Sequence, residues 1–342
     1  MFIKEDDLKL NAWQFSQRKY LPYETKLLLT ETRIREWYEN WGGDVYLSYS
    51  GGLDSTVLLH LIRKVVGYDV PAVFSNTGLE FPEIVRFARK ASGEFVEICP
   101  RDKMGKRIIY RDVILTHGYP VISKEVAQKV RKLRHGNLSG RYRNYLLYGD
   151  ERGKFGKIPE KWKFLIDAPF DSTEKCCDIM KKGPFKEYAK KTGRVPYIGV
   201  TQDEGFIRAH KYAKTGCNMY DAKTAKSQPL GFWTKQDVLR YVVENDIEIC
   251  SVYGDIKQTP CGQYYLTGEQ RTGCVFCAFG AHLEKEPNRF QRMQKSHPRL
   301  YDICMKPLEQ GGLGMKIPLE YIGIPYSTWE SEGQMHILDF IK

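Results

Sequence analysis

The feature that most narrows what this chain can become is a short glycine-bearing string, Ser50-Gly51-Gly52-Leu53-Asp54-Ser55-Thr56. It lies between a β-rich run at 44–48 and an apolar, helical run at 57–66. A strand, a tight turn and a helix in that order turn backbone N–H groups and a helix N-terminus toward an anion. Gly51 and Gly52 let the backbone turn sharply. Ser50, Ser55 and Thr56 add hydroxyl donors. A carboxylate beside phosphates repels them unless a cation intervenes, so Asp54 predicts a bridging divalent ion, Mg²⁺. The loop is not a Walker A loop, because the Gly-Lys-Ser/Thr ending is missing. The bland alternative is a glycine turn with no ligand.

The surrounding pattern sets the fold class. Leu27, Leu28, Ile34 and Trp37 recur at a helical period over 23–41, and Gly42-Gly43 ends that helix. Strands are expected at 70–75, 94–98 and 195–200. Helices are expected at 81–92, with Pro82 in the first turn, at 176–192 and at 234–245. Strands alternating with helices predict an α/β fold with a doubly wound parallel sheet. Ligands in such sheets lie at the carboxyl ends of the strands, which makes Asn76, Thr77 and Gly78 nucleotide contacts. The domain reading is a helical lead-in at 1–43 and a nucleotide-binding α/β domain from 44–100 and 165–249. A basic insertion at 101–164, with a helix at 123–133, interrupts that domain. A cysteine- and glycine-rich C-terminal region spans 250–342.

Charge is concentrated rather than spread. Residues 101–163 carry 17 Lys plus Arg against 6 Asp plus Glu, an excess equal to the net charge of +11 of all 342 residues. Such a block attracts the phosphates of a nucleotide or a nucleic acid. Tyr142, Tyr145, Tyr148, Phe155 and Trp162 interleave it, as base-stacking side chains or as the insertion's own core. No apolar run reaches the roughly 18 residues of a membrane span. The N-terminal stretch lacks the apolar core of a secretory signal. The expectation is a cytoplasmic protein with no membrane partner.

Nine cysteines in a reducing compartment point to metal or redox chemistry rather than disulfides. Cys176 and Cys177 are adjacent, and Cys274 and Cys277 form a C-x-x-C. Four thiolates suit zinc or an iron–sulfur cluster. Cys217, Cys250, Cys261 and Cys304 have no ligand spacing and read as free thiols, with Cys261 the one to test as a sulfur carrier.

Here the sequence resembles a known family. The run from Cys176 to Phe185 is similar to the CCxxRKxxPL motif of iron–sulfur adenylylsulfate reductases, and Arg271 to Cys277 to their GCxxC partner. The resemblance implies a [4Fe–4S] cluster on Cys176, Cys177, Cys274 and Cys277, with Lys181 on the motif lysine. Met180 stands where the motif has arginine. The run 227–241 resembles the family's PLxxWTxxDVxxY segment, and 76–82 its DTGxxFPET, with Asn76 for Asp. The run 199–208 echoes GxRxxES followed by arginine; Thr201 replaces the first arginine and Arg208 matches the second. The family is that of phosphoadenosine phosphosulfate reductases, within the PP-loop ATP pyrophosphatases of adenine nucleotide α-hydrolase-like fold.

Two departures separate the family's branches. Sulfonucleotide reductases resemble one another in a degenerate phosphate loop, whereas this loop is intact. They also carry a nucleophilic cysteine in a C-terminal ECGLH-like motif, whereas residues 330–336 hold none. The implied activity is ATP-dependent adenylation of an acceptor followed by sulfur transfer, catalysed with Asp54, Lys181 and Arg208. The family's DNA phosphorothioation subunit is the functional analogue. A nucleic-acid acceptor on the basic insertion and a sulfur-donor protein are the implied partners, with oligomeric state left open. The alternatives are a sulfonucleotide reductase releasing sulfite, and a nucleic-acid-binding protein with a structural four-cysteine centre.

Overall fold

The computed structural model describes residues 17–204, 212, 215–221 and 225–328. Arg208, the N-terminal stretch and residues 330–336 lie outside them. In chain order the helices and strands are α1 (Tyr23–Asn40), β1 (Val45–Tyr49), α2 (Leu53–Val66), β2 (Ala72–Ser75), α3 (Pro82–Ala88), β3 (Phe95–Ile98), α4 (Tyr110–His117), β4 (Val121–Ile122), α5 (Lys124–His135), α6 (Gly140–Tyr148), α7 (Gly183–Thr192), β5 (Val195–Ile198), β6 (Asn218–Met219), β7 (Lys226–Ser227), α8 (Lys235–Glu244), β8 (Ile256–Gln258), β9 (Tyr264–Leu266), β10 (Ala278–Phe279), α9 (Arg289–Ser296), α10 (Pro298–Met305) and α11 (Lys316–Tyr321). They fall into two compact units. The first takes residues 1–76, 80–100 and 183–272; the second takes 77–79, 101–182 and 273–342.

The first unit is built on a six-stranded sheet in the order β3-β2-β1-β5-β7-β6. All neighbours are parallel except β6 against β7. The order reverses at β1, so the switch point of this doubly wound sheet lies at the carboxyl end of β1. Val45 and Leu47 in β1 are fully buried, each contributing roughly 1.5–3 kcal/mol of burial. Helix α1 packs on α2, and α8 on α2. The periodic positions Ile34 and Trp37 are fully buried as expected, but Leu28 is exposed. Trp233 Nε1 donates to Thr30 Oγ1 at 2.8 Å, and Lys26 Nζ meets Asp237 at 2.6 Å; both contacts tie α1 to the segment that opens α8.

The helix behind the glycine string starts at Leu53, four residues earlier than its apolar run suggests. Leu53, Ser55 and Thr56 are buried, so the first turn is part of the packed structure despite its polar sequence. The helical run expected over 176–192 is present: Cys176 and Cys177 are α-helical, Asp178–Lys182 form a π-turn, and Gly183–Thr192 continue as α-helix. Pro184 lacks an N–H donor, and the π-turn falls just ahead of it.

The second unit is held by a short central strap, residues 119–124. Tyr119 N donates to Asp171 O at 2.7 Å, and Thr173 N donates to Tyr119 O at 2.9 Å. On the other side β4 pairs in parallel with β10, and Gly280 N donates to Ile122 O at 2.9 Å. Ile122 takes φ 63°, a costly backbone for a β-branched residue. The paired neighbours on both sides hold it there. Ser123 then caps α5, accepting from Val126 N at 3.2 Å. The C-terminal stretch, expected as a cysteine- and glycine-rich tail, contains the β8–β9 hairpin, in the first unit, and α9 to α11, in the second.

Candidate functional site

In the first unit the glycine string forms a hydroxyl-lined loop. Gly51 has φ +68°, and a Cβ there would sit 3.1 Å from Ile84 Cγ2. Gly52 leaves no room either, since a Cβ would lie 3.1 Å from Ser50 Oγ and 3.2 Å from Thr272 Oγ1. The loop is self-braced. Ser50 Oγ and Ser55 Oγ are 2.9 Å apart, and Ser55 Oγ and Thr56 Oγ1 donate to Gly52 O at 2.9 and 3.0 Å. These bonds preset the hydroxyls at the N-terminus of α2, where the helix dipole favours an anion. Asp54 lies in the first turn of α2.

Four side chains that the sequence reading did not single out complete this site. Tyr253 Oη accepts from Leu53 N at 2.9 Å and lies 2.6 Å from Thr272 Oγ1. Lys235, the first residue of α8, has its ammonium pKa lowered by burial and held up in part by Asp54, while Arg271 pushes it down further. Lys235, Arg271 and Asp54 therefore share one electrostatic neighbourhood. The missed signal lay in the motif strings themselves, which contain Lys235 and the Arg271-Thr272 pair. Gly199 also counts, since a Cβ there would lie 2.9 Å from Ser55 Cα, so glycine lets the end of β5 approach the loop. Asn76 belongs to this unit, and its Nδ2 donates to Glu97 at 2.8 Å. Thr77 and Gly78 belong to the second unit, where Leu79 N donates to Thr77 Oγ1 at 3.2 Å.

All four paired cysteines belong to the second unit. The strap explains how residues about a hundred positions apart meet. One of its sides is laced to 171–173, which lead into Cys176, and the other to 278–280, which follow Cys277. Cys277 N donates to Cys274 O at 3.1 Å, closing the C-x-x-C turn, and Val275 N donates to Leu79 O at 2.8 Å. Arg289 holds the Cys277 carbonyl at 2.8 Å.

The thiols feel one another. Cys176 donates to Cys177, which raises Cys176, as do its burial and the charges of Cys177, Cys277 and Cys274. The same bond lowers Cys177, helped by Lys124 and Lys181. Burial and then Cys274 raise Cys277 to about 12. Lys181, predicted from its motif position, thus stands within electrostatic reach of Cys177. Among the described residues no three His, Cys, Asp or Glu side chains are close enough to hold one ion. Thiolate sulfur is a donor for zinc and for an iron–sulfur cluster alike. A further side chain shares the electrostatic neighbourhood of these thiols. Tyr110 is buried, and its hydroxyl has no hydrogen-bond partner.

The remaining cysteines divide. Cys217, Cys250 and Cys304 are buried. Cys261 is exposed at the turn of the β8–β9 hairpin, its thiol 3.1 Å from Thr259 Oγ1, and that bond lowers its pKa. Cys99, which the spacing argument did not treat, follows β3 and is half-buried.

The basic insertion presents aromatic rings outward. Tyr142, Tyr145, Tyr148 and Phe155 are exposed, Phe155 by 71%. Tyr142 and Tyr145 are stacked at 6.2 Å. Lys132 lies over the Tyr142 ring at 5.4 Å and Lys163 over Tyr148 at 5.3 Å. Trp162 is half-buried and packs edge-on against His282 at 5.1 Å.

The model of the phosphoadenosine phosphosulfate reductase domain matches residues 44–135 and 149–278. Among curated proteins, the uncharacterized protein MJ0066 of Methanocaldococcus jannaschii is 22% identical over 272 residues, covering 79% of this chain and 42% of its own length. Phosphoadenosine 5'-phosphosulfate reductase of Zymomonas mobilis is 37% identical over 57 residues, 17% of this chain and 23% of that protein. The chain thus spans less than half the length of these curated relatives. Among solved structures, phosphoadenylyl-sulfate reductase of Candida auris, in a phosphate complex, is 13% identical, with a TM-score of 0.36, over 71% of this chain and 91% of that one. The U34-tRNA thiolase NcsA of Methanococcus maripaludis, with its [4Fe-4S] cluster, is 12% identical, with a TM-score of 0.33, over 92% and 86%. Backbone overlaps this loose carry no functional information. Among the described residues no helix is long and apolar enough to cross a membrane.

Proposed function

The chain belongs to the phosphoadenosine phosphosulfate reductase domain family, and from that premise we propose that it is an ATP-dependent, adenylating sulfurtransferase. The observation that carries this reading is the intact loop. Its hydroxyls are preset by internal hydrogen bonds at the N-terminus of α2, beside Lys235 and Arg271. An arrangement of that kind is suited to a pyrophosphate leaving group.

In the proposed reaction an acceptor oxygen attacks the α-phosphorus of ATP. The bond from that phosphorus to the bridging oxygen breaks, and pyrophosphate departs into the loop of Ser50, Gly51, Gly52, Ser55 and Thr56. Asp54 would hold a Mg²⁺ ion, which when bound offsets phosphate charge, and Asn76 is the nucleotide contact carried on the same unit. The acceptor is now an adenylate. A sulfur nucleophile forms its bond to the acceptor atom that bears the adenylated oxygen, as that atom's bond to the oxygen breaks and AMP departs. Cys176, Cys177, Cys274 and Cys277 would hold a [4Fe–4S] cluster, which when bound supplies iron sites for holding sulfur. Lys181 compensates negative charge near Cys177, and Arg208 contacts the anionic substrate. Sulfur comes from a donor protein.

The exposed tyrosines of α6, with Lys132 and Lys163 over two of their rings, favour a nucleic-acid acceptor. Cys304 is fully buried and its pKa is raised by that burial, so it is not a candidate nucleophile.

Pyrophosphate release from ATP, measured on anaerobically prepared protein with and without RNA or DNA, tests the activity. Acceptor-stimulated release that disappears in Asp54→Ala is expected. Sulfite release from a sulfonucleotide with no ATP turnover would sink the reading. Iron and acid-labile sulfide counts separate a cluster from zinc.

A further inference from the structure

We infer that the Tyr110 hydroxyl donates a hydrogen bond to sulfur of the centre held by Cys176, Cys177, Cys274 and Cys277, and so sets its reduction potential. The inference rests on the cluster reading above. Tyr110 opens α4 and is buried, 6% exposed. Its ring stacks on Phe276 with centroids 6.4 Å apart and planes 16° apart, and Phe276 is one of the two residues inside the C-x-x-C. The phenolic oxygen is buried and has no hydrogen-bond partner among the described residues. Buried hydroxyls are rarely left this way unless something absent from the protein chain completes them.

The stack on Phe276 seats the phenol beside the C-x-x-C turn, and Cys277, Cys176 and Cys274 are within electrostatic reach of it. A phenolic O–H is protonated at neutral pH and donates toward sulfur, which carries no proton in the bound centre. A donor to sulfur stabilises the more negative, reduced form of an iron–sulfur centre and raises its potential. On one-electron reduction the electron resides on the centre and the proton stays on Tyr110.

The test is a redox titration of anaerobically reconstituted protein, followed by visible absorbance and EPR. Tyr110→Phe keeps the stack on Phe276 and removes the donor. With iron and sulfide contents unchanged, its midpoint is expected to fall, raising the oxidised-to-reduced ratio at a fixed potential about tenfold, or about 59 mV for one electron. Phe276→Leu, which keeps the hydroxyl, should shift the midpoint much less. An unchanged midpoint in Tyr110→Phe overturns the inference. If that variant does not accumulate, a fluorinated tyrosine placed at 110 by codon suppression is a stronger donor and must shift the midpoint upward; no upward shift overturns the inference equally. Protein that binds zinc or nothing contradicts the cluster reading instead, and the iron count alone reveals that.

Discussion

Tyr253 Oη accepts a hydrogen bond from Leu53 N at 2.9 Å, so a side chain 200 residues downstream occupies the first amide of the helix behind the phosphate loop. That amide is one of four a helix N-terminus leaves without an internal partner. The bond anchors the start of the helix, and with it the glycine and hydroxyl loop ahead of it. Removing the hydroxyl in Tyr253→Phe is expected to cost about 1 kcal/mol of stability. It should also weaken ATP by about fivefold, the equivalent of that energy. Denaturant unfolding and ATP titration measure both. A variant matching the parent in each would mean that this bond does not shape the loop.

Gly51→Ala isolates the backbone requirement. At φ +68° an L side chain costs roughly 1–2 kcal/mol, and this Cβ would also press on Ile84. The variant should stay folded by circular dichroism and lose most pyrophosphate release. Retained turnover would show that the loop tolerates a different backbone path.

The pair Lys26–Asp237 is nearly sealed from water, with side chains 3% and 13% exposed. Asp237 also accepts from Thr234 N at 2.7 Å in the capping box of α8. Lys26→Met leaves the carboxylate without its cation, at an expected cost of about 3–5 kcal/mol. The midpoint of urea unfolding should drop accordingly. A loss below about 1 kcal/mol would mean that Asp237 is satisfied by the cap alone.

The thiol pair titrates asymmetrically in metal-free protein. Donation from Cys176, then the cations Lys124 and Lys181, stabilise the Cys177 thiolate and hold its pKa below the usual thiol value. The sign follows from the lowered pKa. The stabilisation is present in full above the unfolded thiol pKa and is lost as pH falls through the folded one. At pH 7, alkylation of metal-free protein should label Cys177 ahead of Cys176, and Lys124→Met should slow it. Mass spectrometry of timed samples reads the order. Equal labelling of the two would contradict the assigned direction.

Much of the nucleotide half was legible along the chain because its signals are local. The glycine string at 50–56, the helix at 234–245 and the alternation around β1, β2 and β3 each depend on residues a few positions apart. The start of α2 at Leu53 and the π-turn at Asp178–Lys182 were less legible, since polar first-turn residues and a π-turn leave little periodic trace. Cys176, Cys177, Cys274 and Cys277 stood out by their spacing and by family resemblance. Tyr110 and Tyr253 did not, because nothing in their own neighbourhoods distinguishes them from ordinary core residues, and Lys235 and Arg271 sat inside the motif strings without a spacing that set them apart.

The sequence by itself determined the chemistry on offer: an anion loop, four paired thiols, a basic aromatic stretch and an α/β alternation. Only the tertiary structure decided that the strap at 119–124 gathers the two cysteine pairs into one unit. It alone left the Tyr110 hydroxyl without a partner beside them and brought Tyr253 to the helix behind the loop. These are contacts between positions tens to hundreds of residues apart. They are set by parallel strand pairing and burial, and no local pattern encodes them.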